Sequence, residues 1–165
     1  MRVYLPATLP VLRRLLDTGE LDAPPLPAFA VTGALREWYA EGDDEELEYA
    51  ALVLAARASL RLLDADPDAP PRRAVVVADV PDAAAMPAPA LDRAAVTVGS
   101  TITLRDIRSV HVDDPAAEAD VRAAVEAVIE AELGSEDAAF RMDQAEGHEL
   151  QWYATQELGP LLELS

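Results

Sequence analysis

The chain has 165 residues, 31 of them acidic against 13 basic, with a net charge of −18 and a pI near 4.2. A hydrophobic fraction of 51% over this length supports a folded core burying roughly 70% of the unfolded surface, and excludes a disordered acidic tail. The charge excludes a phosphate-binding surface of the nucleic-acid type and an anionic membrane face, and it selects basic proteins or metal cations as partners.

Residues 2–5 read as a short strand. Thr8 caps a helix running through Leu16, with Pro10 in its first turn and Gly19 closing it. Three prolines within 22–27 turn the chain into a second strand, Ala28–Val31. Thr32 then caps a short helix, Ala34–Ala40, which places Leu35, Trp38 and Tyr39 on one face. Asp43 and Glu46 make a capping-box start to the clearest element, a helix to about Leu63. Its first turns are acidic (Asp44, Glu45, Glu46, Glu48), and Arg57 and Arg61 lie toward its end, matching the helix dipole. One apolar stripe runs Leu47, Ala50, Leu54, Ala58, Leu62, and a second runs Tyr49, Val53, Leu60, Leu63. Such a helix lies between layers, or covers a sheet and also meets a partner.

Asp64–Pro71 is a loop, and Ala74–Val80 is the continuous β-branched run of a central strand. Residues 81–92, with Pro81, Pro87 and Pro89 among alanines, predict a mobile loop. Ala95–Val98 and Ser109–Val112 read as strands, with a helical turn over Thr103–Ile107 between them. Asp113-Asp114-Pro115 opens an amphipathic helix to about Leu133, with Val121, Val125, Val128 and Ile129 inward and Gly134 ending it. Ala139–Met142 patterns as a strand. Residues 148–157 fit a helix, or a strand over Leu150–Ala154 followed by a turn capped by Thr155, with the helical period preferred. The expectation is a single α+β domain over residues 1–165: a mixed β-sheet of five to six short strands covered by four to five helices.

Much chemistry is excluded. There is no lysine and no cysteine, which removes Schiff-base mechanisms, pyridoxal phosphate enzymes, disulfides and thiolate catalysis. The seven glycines are never close enough for a Walker or Rossmann loop, and no serine sits in a Gly-x-Ser-x-Gly elbow. With only His111 and His148, the structural zinc patterns are missing. No cofactor is implied and no catalytic residue is identified. Asp79, Asp82, Asp113, Asp114 and Asp143 fall at or beyond expected strand ends, where paired carboxylates bind Mg²⁺ or act as acids and bases; the plainer reading makes them caps and solvated loop positions.

Two constellations concentrate the aromatic surface. Arg36-Glu37-Trp38-Tyr39 precedes the acidic run that holds Glu45, Glu46 and Glu48. The second spans His148-Glu149-Leu150-Gln151-Trp152-Tyr153 and ends at Gln156-Glu157; as a helix it would align His148, Glu149, Trp152, Tyr153 and Gln156. Both tryptophans are thus in Trp-Tyr pairs beside charge, suited either to core and edge packing or to a binding surface. Met1-Arg2-Val3-Tyr4 opens on a strand-like pattern with no signal-peptide core and no long apolar run, so the cytoplasm is the expected location.

Ala30-Val31-Thr32 running into Ala34-Leu35-Arg36-Glu37-Trp38-Tyr39, Glu45-Glu46-Leu47-Glu48-Tyr49-Ala50, His111-Val112-Asp113-Asp114 and His148-Glu149-Leu150 resemble a family of short, uncharacterised actinobacterial proteins across nearly the whole chain. The resemblance implies a bacterial cytoplasmic setting and no particular activity. The order of elements is also similar to ADP-ribosyltransferase-like folds. Those enzymes carry a His or Arg on the first strand, where Arg2 stands, and a late catalytic Glu that has no counterpart here, so that similarity is architectural. The functional expectation is a non-catalytic interaction or regulatory domain with a basic protein partner. The alternative is a small enzyme or ligand-binding domain whose cleft joins His148, Glu149 and Tyr153 to Arg36 and Tyr39. Monomer and homo-oligomer are both open.

Overall fold

The computed structural model describes residues 1–165. Strand β1 (Arg2–Ala7) alternates, sending Val3, Leu5 and Ala7 to one face and Tyr4 to the other. Helix α1 (Leu9–Thr18) follows at once because Thr8 accepts a hydrogen bond from the Val11 N–H and Pro10 suits a first turn. Gly19, at φ 81°, stops it in a left-handed conformation that a side chain would strain. After β2 (Leu26–Ala30), Thr32 caps α2 (Gly33–Trp38) by accepting from the Leu35 N–H at 3.1 Å. Asp43 caps α3 (Asp44–Ala65) by accepting from the Glu46 N–H at 2.9 Å.

The chain continues through β3 (Ala74–Asp79), β4 (Ala85–Pro87), β5 (Ala95–Val98) and β6 (Ile107–Val112), with 3₁₀ turns at Asp82–Ala84 and Leu104–Asp106. Helices α4 (Glu118–Glu132) and α5 (Glu136–Glu146) pack on each other around Gly134. Strand β7 (Gln151–Tyr153), a 3₁₀ turn at Thr155–Glu157 and α6 (Leu158–Glu163) complete the molecule.

All strands join one sheet in the order β4-β5-β2-β1-β3-β6-β7, and every pairing is antiparallel. The α+β class therefore stands, with corrections. There are seven strands and six α-helices rather than five to six and four to five, and the sheet is antiparallel rather than mixed. Strand–helix alternation suggests parallel crossover units, but here α1 joins two antiparallel neighbours, β1 and β2. Both additional strands are three-residue edges. β4 lies inside the proline-rich stretch expected to be a mobile loop, and β7 lies inside the segment read as helical. β4 exists only through its pairing with β5, whereas β7, paired with β6, realises the strand alternative over Leu150–Ala154. Ala139–Met142, expected as a strand, lies within α5, whose cap Ser135 accepts from the Ala138 N–H.

The molecule is layered. On one face α1 and α6 seal the largest buried cluster, where Leu12, Leu15 and Leu158 meet Val3, Val76 and Val110. Each such side chain contributes about 1.5–3 kcal/mol by leaving water. On the other face α3 lies over Tyr4, Val75 and Val77, and α4 and α5 pack on the far side of α3 through Val121, Val128 and Met142. The buried line of α3 runs Leu47, Ala51, Ala55, Ser59, so its small residues let the helix come close to the sheet. The expected stripes are shifted accordingly, and Tyr49 and Leu62 are exposed. No helix is long and apolar enough to cross a membrane.

Candidate functional site

The frame of the site is a buried ion pair at the start of β3. Arg73 Nε and Nη2 each donate to an Asp113 carboxylate oxygen at 2.8 Å, and the Arg73 backbone N–H donates to the same carboxylate at 2.8 Å. Neither side chain is more than 3% exposed. Arg73 Nη2 also donates to the His148 carbonyl at 2.8 Å, which fixes where the chain leaves α5 and approaches β7. His148 Nε2 sits 2.7 Å from Asp120 Oδ2 on α4, anchoring the same segment from its other side.

This anchoring places β7 beside β6 with Trp152 directly across from His111. Their side chains share the α3 face of the sheet, as cross-strand partners do. Helix α3 covers only part of that face. Between its N-terminal half and the β6–β7 edge runs a groove made of two adjoining cavities of about 310 Å³ and 170 Å³. Tyr49, Leu52, His111 and Trp152 line both. Glu45, Glu48, Tyr49 and Leu52 reach it because positions three and four apart share one side of a helix. Tyr49 is 56% and Trp152 59% exposed, so two large aromatic surfaces stand open to water across one groove.

The electrostatics of the groove are one-sided. Glu45, Glu48 and Glu149 border it without an ion-pair partner, whereas Glu146 is held by Arg57 at 2.7 Å. The two cations bordering it are already engaged: Arg73 by Asp113, and Arg2 by Asp79 at 3.2 Å. Asp79 also accepts from Arg108 at 2.6 Å; burial raises its pKa, and the two arginines outweigh that to leave it below the usual carboxylate value. At the groove floor Tyr4 is only 6% exposed, and its hydroxyl makes no hydrogen bond within the protein. Burial, reinforced by the nearby Glu48 charge, pushes that hydroxyl up to about 12. Burial also lowers the pKa of His111, so its ring is neutral at pH 7.

Of the residues singled out from sequence, the structure gathers Glu45, Glu48, His148, Glu149 and Trp152 along this groove. Glu46 is exposed on α3 outside it. Tyr153 points to the opposite face of β7, packing on the main core and donating its hydroxyl to Gln151 at 3.0 Å. Gln156 is exposed in the 3₁₀ turn. Arg36, Trp38 and Tyr39 lie elsewhere: Arg36 pairs with Asp44 at 2.8 Å, and Trp38 stacks with Arg93, just before β5. Trp38, held by Arg93 just before β5, is thus five strand positions from β7, roughly 24 Å at the usual strand spacing, and Arg36 is tied instead to the start of α3. A single cleft joining His148 to Arg36 and Tyr39 does not form. The helical alignment of His148, Glu149, Trp152, Tyr153 and Gln156 is likewise replaced by a turn, a strand and a second turn.

Sequence reasoning missed Tyr4, Tyr49 and His111. Tyr49 was detectable as an aromatic four residues after Glu45 on an acidic helix face; the other two are single strand positions with no local signal. The strand-end carboxylates are engaged structurally. Asp113 holds Arg73, Asp82 holds the N-terminal ammonium, Asp114 caps a 3₁₀ turn, and Asp143 lies within α5.

A family model described as a family of unknown function (DUF6912) matches residues 1–162, and the chain belongs to that family. No curated protein and no solved structure matches the chain.

Proposed function

We propose that this family member is a non-catalytic interaction domain that holds a cationic segment of a basic partner protein in the groove between α3 and the β6–β7 edge. The observation that carries the reading is the set of unpaired carboxylates, Glu45, Glu48 and Glu149, around two exposed aromatic walls, Tyr49 and Trp152. Open aromatic surface supplies binding energy at protein interfaces, and unpaired charge on the rim supplies steering and orientation. The net charge of −18 extends that steering beyond the groove. The two adjoining cavities, about 310 Å³ and 170 Å³, together fall in the lower half of the about 300–1,000 Å³ range of small-ligand sites and have room for one or two large side chains. The proposed setting is the bacterial cytoplasm, supported by the resemblance to short actinobacterial proteins.

The test is calorimetric titration of the full chain with short basic peptides at two salt concentrations. Binding is expected, weaker at the higher salt, and reduced about tenfold or more in a Glu45→Gln, Glu48→Gln, Glu149→Gln variant. That variant keeps most of the negative charge, so a general field effect would leave affinity nearly unchanged, and that outcome would sink the proposal.

A further inference from the structure

We infer that the groove reads arginine: the guanidinium of the partner segment lies against Tyr49 and Trp152 and donates to Glu45, Glu48 and the Tyr4 hydroxyl. The inference rests on the proposal that the groove takes a cationic segment, and it names the side chain.

Three features select a guanidinium over an ammonium. The first is the walls. A guanidinium is planar, delocalised and weakly hydrated, so it gives up water readily to stack on an aromatic ring; an ammonium is a compact, strongly hydrated charge. The same fold already contains this contact, since the Arg93 guanidinium carbon lies 3.6 Å from the ring centre of Trp38. That arginine satisfies its tryptophan from within the chain, whereas Trp152 stands 59% exposed with no cation over it.

The second feature is the floor. Tyr4 is more than nine-tenths buried, but its hydroxyl oxygen opens on the groove and has no partner within the protein, so an incoming donor takes the place of water there. Only a group carrying several diverging N–H donors reaches this oxygen and the rim carboxylates together. The guanidinium fork spreads five N–H donors in one plane while its face stays against the aromatic walls, whereas an ammonium packs its three donors around one compact point.

The third feature is spacing and charge. Glu45 and Glu48 are one helical turn apart on the same side of α3, so two carboxylates face the groove from one wall. The cations at the border, Arg2 and Arg73, are already held by Asp79 and Asp113. An incoming arginine thus meets carboxylates that have no other counter-ion.

The experiment uses the full chain and peptides identical except for a central arginine, lysine or citrulline. The arginine peptide is expected to bind about tenfold more tightly than the lysine peptide, with citrulline at the limit of detection. Tyr4→Phe, which keeps the ring and the core, should weaken arginine binding about fivefold and leave lysine binding unchanged. Trp152→Ala should remove the preference and Trp152→Phe should keep most of it, with unfolding midpoints confirming that each variant is folded. Equal affinity for arginine and lysine would overturn this inference and leave the cationic-segment proposal standing. No binding of either cationic peptide, or binding indifferent to the carboxylate substitutions, would overturn both. An unchanged arginine affinity in Tyr4→Phe would remove Tyr4 from the site.

Discussion

Ser59, wholly buried in the middle of α3, donates its hydroxyl to the Ala7 carbonyl 52 residues earlier in the chain, at 2.7 Å. The same oxygen accepts from the Ala74 N–H at 3.2 Å, and Ala7 and Ala74 face each other across the β1–β3 ladder. One hydroxyl therefore closes the end of the central strand pair and pins the helix above it.

Ser59→Ala should accordingly cost about 1–3 kcal/mol, because it removes the partner of a buried carbonyl and a buried N–H with no water to replace it. The measurement is the urea unfolding midpoint. A Ser59→Thr variant keeps the hydroxyl but adds a methyl where the helix is close to the sheet, so it should rescue only part of the loss.

Asp113→Asn should be more damaging, by about 3–5 kcal/mol, since it strands the buried Arg73 guanidinium without a counter-charge. Replacing both partners with apolar residues should cost less than the sum of the two single losses, a coupling measured by a double-mutant cycle of unfolding free energies. The single variant should also loosen the backbone near His148, whose carbonyl depends on Arg73, and speed its cleavage in limited proteolysis.

His111 gives a pH dependence with a definite sign. Its folded pKa lies below the ordinary 6.5 because of burial, so the unfolded chain takes up the proton first. The stability it contributes is complete above about pH 6.5 and is lost as pH falls through the lowered value. Wild type should lose more stability between neutral and mildly acidic pH than His111→Gln. Parallel slopes for the two proteins would contradict this.

Tyr4 acts at the other end of the scale. With its hydroxyl at about 12 in the fold against 10.0 for the free group, the unfolded chain ionises first on alkaline titration. Stability should therefore fall as pH rises above 10 and level off once the folded hydroxyl also ionises. In an ultraviolet tyrosinate titration, Tyr4→Phe should delete the last step to appear.

The parts of the fold legible from sequence were those written in local chemistry. Thr8, Thr32 and Asp43 cap the helices they were expected to cap, because a capping side chain acts on backbone N–H groups only a few residues away. β3 was legible because a central strand buried on both faces is apolar throughout. β7 was half legible: a strand over Leu150–Ala154 was one of two readings, and the pairing of Gln151-Trp152-Tyr153 with Val110–Val112 decides between them. The site divides in the same way. Glu45, Glu48 and Trp152 stood out as charged or aromatic residues, yet their adjacency depends on the order β3-β6-β7, a relation between segments a hundred residues apart that no local pattern encodes. Arg73 and Asp113 could be read only as a basic residue and a strand-end acid until pairing of β3 with β6 brought them together.

The rims of the sheet carry one more consequence. β4 and β7 are its two outermost strands, each only three residues long, and Pro87 removes a hydrogen-bond donor from one of them. A rim that short offers almost no template on which another copy can register, and the surrounding negative charge repels any copy that tries. The sheet is thereby protected against growth into stacked aggregates while the molecule still leaves an aromatic-walled groove open to water.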